Sequence, residues 1–359
     1  WIYILLEEVR NRFPFGGFGW VRIAFTQADA PYAKVASIGG ATALSAAVVL
    51  IALVIFHISH RKFSLLPLLP FLIVLVPVNT SVVDSTNVLM IQGNVPQMGL
   101  DFNSRAKAVF NNHFERTQME IAKNPNIDFI LWPENSVDVD PFLNSDVKKS
   151  LDSIKQPLII GAIVNKGSTL LNTSILWGGE LPETYIKQHL TPFGEYIPLR
   201  DFIARYVSRF DQIPSDFIAG TEPGVFKVGK SKIGDVICFE VAYSDRIQKT
   251  VAAGAQVMVV QTNNATYGNT SQPAQQFAIT RFRAIESQRA FLVASTSGIS
   301  GLIRNDGTVM AQTKQFEADT VVGEVELISD RTFTHRFPHW VVVVSILILT
   351  FALRRNRVQ

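Results

Sequence analysis

A chain of 359 residues with 47% apolar and only 18% charged side chains is long enough for a domain with a real core. Its positive mean hydropathy is high for a purely soluble enzyme, so membrane segments are expected. The net charge of +3 is small and concentrated beside apolar runs, which argues against nucleic-acid binding.

Trp1 to Leu6 reads as the tail of an apolar helix, and the chain opens without an initiator Met, so a fragment or processed form of a longer membrane protein is expected. From Leu6 to Lys34 the pattern turns mixed, with Glu7, Glu8, Arg10 and Arg12 followed by Phe13-Pro14-Phe15-Gly16-Gly17-Phe18-Gly19-Trp20. That composition argues against a regular helix. It predicts an interfacial segment with Phe15, Phe18 and Trp20 at headgroup level near the entrance to a site, in preference to a connecting loop with exposed aromatics.

Three runs lack Asp, Glu, Lys and Arg: Val35 to Phe56, Phe63 to Val83 and Phe337 to Leu353. The first two reach the roughly 20 residues a bilayer crossing needs, and the third is near the lower limit. Pro67, Pro70 and Pro77 are expected to kink the second. Arg61 and Lys62 join the first two runs, and Arg354, Arg355 and Arg357 follow the third. The positive-inside rule puts both clusters in the cytoplasm and Asp84 to Arg336 outside it. The expected organisation is a membrane region over 1–83, an extracytoplasmic domain over 84–336, and a last membrane helix with a basic tail over 337–359.

Within the outer domain, Val88 to Gln92, Phe129 to Trp132, Leu158 to Val164, Thr173 to Trp177, Asp235 to Cys238, Val257 to Gln261 and Phe291 to Ser295 read as strands. Phe102 to Ala122 and Gln272 to Glu286 read as amphipathic helices, so the domain is α/β with helices covering sheets.

Cys238 is the only cysteine, which excludes an internal disulfide and leaves packing, metal binding or nucleophilic attack. It ends the run Lys232 to Glu240 where a nucleophile would need to be exposed. Two other segments supply partners. Phe129-Ile130-Leu131-Trp132-Pro133-Glu134 places a carboxylate just past a strand stopped by proline, and Tyr185-Ile186-Lys187 ends a strand in an amine before a Pro/Gly turn presents Glu195. Singly, Glu134 reads as a helix N-terminal acid and Lys187 as a solvated strand-end charge. Together the three can perform acyl transfer: a thiolate attacks a carbonyl, a carboxylate moves the proton, and an ammonium steadies the oxyanion.

These motifs resemble the nitrilase superfamily, whose members use a Glu-Lys-Cys triad, at Trp132-Pro133-Glu134, Lys187 and Ile237-Cys238-Phe239-Glu240. Lys187-x-His189-Leu190-x-Pro192-Phe193-Gly194-Glu195-Tyr196 and Leu89 to Gln97 are similar to the apolipoprotein N-acyltransferases in particular. Arg281 to Arg289 and Ser295 to Ser300 follow the same order. The resemblance implies an αββα sandwich inserted between transmembrane helices, in the plasma membrane of a bacterium. It further implies transfer of an acyl chain from a membrane phospholipid, through a Cys238 thioester, to the α-amino group of the diacylglyceryl-cysteine of an apolipoprotein. Glu134 would be general base and acid and Lys187 the oxyanion's charge partner, helped by a backbone N–H near Phe239. Glu195 would orient Lys187 or assist the proton, or be an ordinary turn carboxylate. Glu240 stands where the family has an acid.

Several positions depart from that pattern. Phe239 replaces a tyrosine, losing a hydroxyl. Met98 to Phe102 stands where a mobile-loop tryptophan is common, so Phe102 is expected to substitute as the lipid-facing aromatic. Asn263-Asn264-Ala265-Thr266-Tyr267-Gly268 stands for Asn-Asp-x-Trp-Phe-Gly, which alters the wall of the acyl pocket while Asn263 and Tyr267 remain supporting residues.

No cofactor is implied, and the six histidines show no metal-binding spacing. A Gly-x-Ser-x-Gly pattern does not occur. Asn79-Thr80-Ser81 and Asn172-Thr173-Ser174 match a glycosylation tripeptide of little weight. Two other functions are compatible with the triad or its scaffold: a membrane-tethered amidohydrolase acting on a small amide, and a non-catalytic binding protein.

Overall fold

The computed structural model describes residues 1–60, 80–95, 107–167, 169–179, 181–203 and 216–358. Helix α1 (Ile2–Arg10) leads through turns to α2 (Val35–Ser59), then β1 (Val82–Gln92), α3 (Ala108–Ile121), β2 (Phe129–Leu131), α4 (Ser145–Asp152), β3 (Leu158–Lys166), β4 (Thr169–Trp177) and β5 (Glu183–Ile186). The second half carries β6 (Gly224–Val228), β7 (Ser231–Ile237), α5 (Ser244–Ala252), β8 (Val257–Thr262), α6 (Gln272–Ser287), β9 (Phe291–Ser295), β10 (Gly301–Ile303), β11 (Val309–Gln312), β12 (Asp319–Ile328) and α7 (Trp340–Val358).

The strands form two six-stranded sheets, ordered β12-β1-β2-β3-β4-β5 and β11-β10-β9-β8-β7-β6. Each has a parallel trio at its centre, β1-β2-β3 and β7-β8-β9, with antiparallel strands outside. Parallel strands need crossover connections, and α3, α4, α5 and α6 supply them. Strand alternation then makes the layers. Val88 and Met90 of β1, Phe129 and Leu131 of β2, and Val257 and Val259 of β8 point between the sheets. Leu89, Ile91, Ile130 and Trp132 pack outward on Phe110 of α3 and on Val147 and Leu151 of α4. Val236, Met258 and Val260 pack outward on Ile247 of α5 and on Phe282 and Ile285 of α6. Each such fully buried side chain contributes about 1.5–3 kcal/mol relative to exposure. The result is an αββα sandwich.

Helix α2 spans 25 residues and is long and apolar enough, by length and composition, to cross a membrane. It does not stand apart from the sandwich: Ala36, Ala41 and Leu44 belong to the same buried cluster as Phe282 and Ile285. Its backbone breaks at Gly40 (φ 65°), where a side chain would press on the Glu286 carboxylate and the Thr334 hydroxyl. Arg22 bonds Glu7 and Glu8, and Thr42 donates to Glu8 at 2.6 Å, fastening α1, the turn segment and α2 together.

All seven expected strands form, several with shifted ends, and both expected amphipathic helices have counterparts in α3 and α6, residues 102–106 of the first lying outside the described residues. Residues 63–79 of the second expected membrane run lie outside the described residues, and its last two, Val82 and Val83, open β1 instead, because Val82 finds a partner in Ile328 of β12. Helix α7 starts at Trp340, three residues beyond the expected Phe337, and carries its apolar face into the Arg354-Arg355 cluster.

Candidate active site

Within each sheet the central parallel strands end on one edge. Gln261 of β8 donates to the Trp132 carbonyl beyond β2 at 2.6 Å, so the two sheets meet there. Pro133 cannot continue the ladder, and the chain turns at once through Glu134 and Asn135 (φ 54°). Gly161 of β3 allows this turn, since a Cβ there would fall 2.5 Å from the Glu134 Cα. The Glu134 carboxylate accepts from the Asn263 N–H at 2.8 Å, from the Asn172 amide at 2.7 Å and from Lys187 Nζ at 3.3 Å. Lys187, just past β5 and 1% exposed, also meets Glu195 at 2.9 Å. Glu195 in turn accepts from the Thr191 N–H at 2.7 Å and from Asn172 at 2.6 Å.

One lysine is therefore held between two carboxylates, with Asn172 bridging them. Burial alone would lower the Lys187 pKa, but Glu134 and Glu195 reverse this and hold it well above the ordinary lysine range. Burial works against an ionised Glu195, yet Lys187, Asn172 and the Thr191 N–H hold its carboxyl below the usual range. The result is a fixed, buried ammonium.

Strand β7 delivers Cys238 at the opposite lip. Its backbone is left-handed (φ 52°), a conformation costing an L-residue about 1–2 kcal/mol, and a short 3-10 turn over Cys238–Ala242 follows. The sulfur is reached by Thr262 Oγ1 at 3.4 Å and Gln276 Nε2 at 3.6 Å, and the Tyr267 hydroxyl lies at 4.0 Å. Burial, reinforced by the Glu134 charge, pushes the thiol up to about 11. A thiol raised in this way needs a base to take its proton if it is to act as a nucleophile. Glu240, fully buried, ties the elbow to the lysine segment: it accepts from the Ile237, Gln188 and His189 N–H groups at 2.8, 2.8 and 2.9 Å and from the Tyr185 hydroxyl at 2.7 Å.

The carbon-nitrogen hydrolase family model matches residues 108–329. The chain belongs to that family. The apolipoprotein N-acyltransferase N-terminal domain model matches residues 1–54. The apolipoprotein N-acyltransferase of Mycolicibacterium smegmatis is 32% identical over 76% of this chain, and the chain spans 49% of that protein's length. The one from Haemophilus ducreyi is 25% identical over 96% of this chain and is spanned to 72%. Among solved structures, a nitrilase-superfamily amidase from Nesterenkonia covers 74% of this chain and 97% of its own at a TM-score of 0.52 and 17% identity. A carbon-nitrogen hydrolase from Helicobacter pylori covers 67% and 89% at a TM-score of 0.52 and 12% identity. Both share the fold.

A group of aromatic rings packs beside this site. Trp20, from the segment between α1 and α2, stacks on Phe239 at 6.0 Å, stands edge-on to Tyr267 at 6.4 Å and donates to Gln275 at 2.8 Å. Phe18 also reaches Phe239, and Phe15 and Phe18 are about half exposed. The expected aromatic entrance therefore has a structural counterpart, with Trp20 in the wall.

Glu134, Lys187, Glu195, Phe239, Glu240, Asn263 and Tyr267 converge around Cys238, whereas Phe102 lies outside the described residues. Phe239 contributes a ring to the aromatic group. Asn263 acts chiefly through its backbone N–H, while its side-chain oxygen accepts from Thr296. Sequence reasoning missed four residues. Asn172 is buried and bridges the carboxylates; the glycosylation tripeptide that drew attention to it has no free amide to modify, and Asn79 lies outside the described residues. Thr262 and Gln276 cradle the sulfur. Gln276 had a legible signal, a polar residue on the face of α6 that also buries Pro273, Phe277 and Thr280. Asp235 in β7 lies between the sheets and accepts from the Ser174 hydroxyl at 2.7 Å; burial pushes its carboxyl up to about 8. Among the described residues, no group of three His, Cys, Asp or Glu is placed to hold a metal.

Proposed function

We propose that this chain transfers a fatty acyl group from a membrane phospholipid to the α-amino group of a diacylglyceryl-cysteine at an apolipoprotein N-terminus, with Cys238 carrying the acyl group as a thioester. The observation that carries the reading is that the site is shared between the two regions. Cys238, Glu134 and Lys187 come from the sandwich, while the ring closing the entrance, Trp20, comes from the segment that leads into the apolar helix α2. A soluble amide needs no such roof; a lipid ester arriving from the bilayer does.

In the first half-reaction the Cys238 proton passes to the Glu134 carboxylate as sulfur attacks the ester carbonyl carbon. The carbonyl electron pair moves onto oxygen, facing the Lys187 ammonium and the backbone N–H near Phe239. Collapse breaks the C–O ester bond, and the departing lysophospholipid oxygen takes the proton back from Glu134. In the second, the acceptor amine attacks the thioester carbonyl, gives its proton to Glu134 and expels the Cys238 thiolate, which is then reprotonated. Glu195 and Asn172 keep Lys187 charged and aimed. The chain spans the plasma membrane of a bacterium more than once, with the sandwich on the extracytoplasmic face and the Arg61-Lys62 and Arg354-Arg355 clusters inside.

The test mixes purified protein in phospholipid vesicles with a diacylated lipopeptide and follows the lipopeptide mass. One added acyl chain with stoichiometric lysophospholipid, both lost in Cys238→Ala, is the expected result. Free fatty acid with unchanged lipopeptide would replace the reading by hydrolysis.

A further inference from the structure

Three groups approach the Cys238 sulfur, and they are not equivalent. Thr262 on β8 and Gln276 on α6 are buried behind it. They also bond each other: the Gln276 carbonyl accepts from Thr262 and from Asn264, both at 2.8 Å. Thr262 has a single hydroxyl proton, and its shorter contact is with Gln276, not with sulfur at 3.4 Å. Tyr267 differs in position. It ends the 3-10 turn Ala265–Tyr267 just beyond β8, lies half-buried at the entrance beside Trp20, and directs its hydroxyl to the sulfur at 4.0 Å.

We propose that Tyr267 is a catalytic residue of the acyl transfer, its phenol O–H donating to the Cys238 sulfur whenever that sulfur bears negative charge. The inference rests on Cys238 being the acyl-carrying nucleophile. Charge appears on sulfur twice, when the thiol gives its proton to Glu134 and when the thioester C–S bond breaks. At both moments Tyr267 offers a hydrogen bond and keeps its own proton, so no bond at the tyrosine forms or breaks. The sulfur's own charge, and then burial, keep the phenol well above its ordinary range, so it stays a donor. Phe239 carries no hydroxyl, and Thr262 and Gln276 are engaged behind the sulfur, which leaves Tyr267 as the donor on the substrate side. The titratable groups facing Cys238 are Glu134 beyond β2, Lys187 beyond β5 and Tyr267 itself.

Tyr267→Phe removes one oxygen and preserves the ring against Trp20. In the full chain in detergent micelles, the alkylation rate of Cys238 by iodoacetamide is followed from neutral to strongly alkaline pH. Losing a donor to the thiolate raises the apparent thiol pKa by about one unit, which is about tenfold less thiolate at a given pH. A poorer leaving thiolate also slows amine capture of a preformed Cys238 thioester by several fold. Asn269→Ala, at an exposed position two residues further on, leaves both values unchanged. An alkylation profile identical to the wild type overturns the inference, even if turnover falls, because the hydroxyl would then act on substrate or merely pack. This readout needs no acyl donor, so it stands apart from the transfer reaction: wild-type protein that never gains an acyl chain defeats the proposed function, while the alkylation shift decides Tyr267.

Discussion

Lys187→Met is expected to cut acyl transfer by about 100- to 1000-fold and to destabilise the sandwich by about 3–5 kcal/mol. The two losses share one cause. Lys187 is 1% exposed and sits 3.3 Å from Glu134 and 2.9 Å from Glu195, so it is the cation that lets two carboxylates share a buried site. Removing it leaves both acids buried with Asn172 as their shared side-chain donor, and buried charge without a partner is among the costliest defects a core can carry. Methionine keeps the stem's apolar packing, so the lost charge, not a cavity, is what the variant reports. Thermal unfolding in micelles and the lipopeptide mass assay measure the two effects separately. A variant that melts like the wild type would show that the carboxylates do not depend on Lys187.

Asp235→Asn is expected to change stability in a pH-dependent way, with the opposite sign. The Asp235 carboxyl is pushed up to about 8 in the folded chain by burial, against an ordinary value near 3.8 when unfolded. A raised folded-state pKa means the folded chain holds a proton that the unfolded chain releases between those values. Its contribution is therefore fully present below about pH 4 and is lost as pH climbs through about 8, at roughly 1.4 kcal/mol per unit at most. Asparagine cannot ionise and keeps the oxygen that accepts from Ser174. The variant should match the wild type near pH 4 and exceed it by a few kcal/mol near pH 8. Equal melting curves at both pH values would contradict the burial argument.

Strand-end chemistry was legible because it rests on local pattern. The apolar run into Trp132-Pro133-Glu134, and the isolated thiol after Ile237, mark strands that stop where side chains become available. The sheet pairing was less legible. β12 spans Asp319–Ile328 but mixes Glu324 and Glu326 with Val325 and Leu327, and only its antiparallel partner β1 shows why it is a strand at all. Short β5, β6, β10 and β11 have too few residues for a period to stand out. Asn172 and Thr262 were missed for another reason: an uncharged polar residue on a strand signals nothing until folding puts it beside a carboxylate or a sulfur. The join between α2 and the sandwich was hidden too, because an apolar run reads the same whether lipid or Phe282 covers it.

The central claim is that Cys238 carries the acyl group, and intact-mass spectrometry of protein purified from membranes tests it most directly. The expected result is a fatty acyl mass on Cys238 that hydroxylamine removes, that disappears when diacylated lipopeptide is added, and that is absent from Cys238→Ala. Unmodified Cys238 after exposure to membrane phospholipids, with lipopeptide left unchanged, would contradict the account.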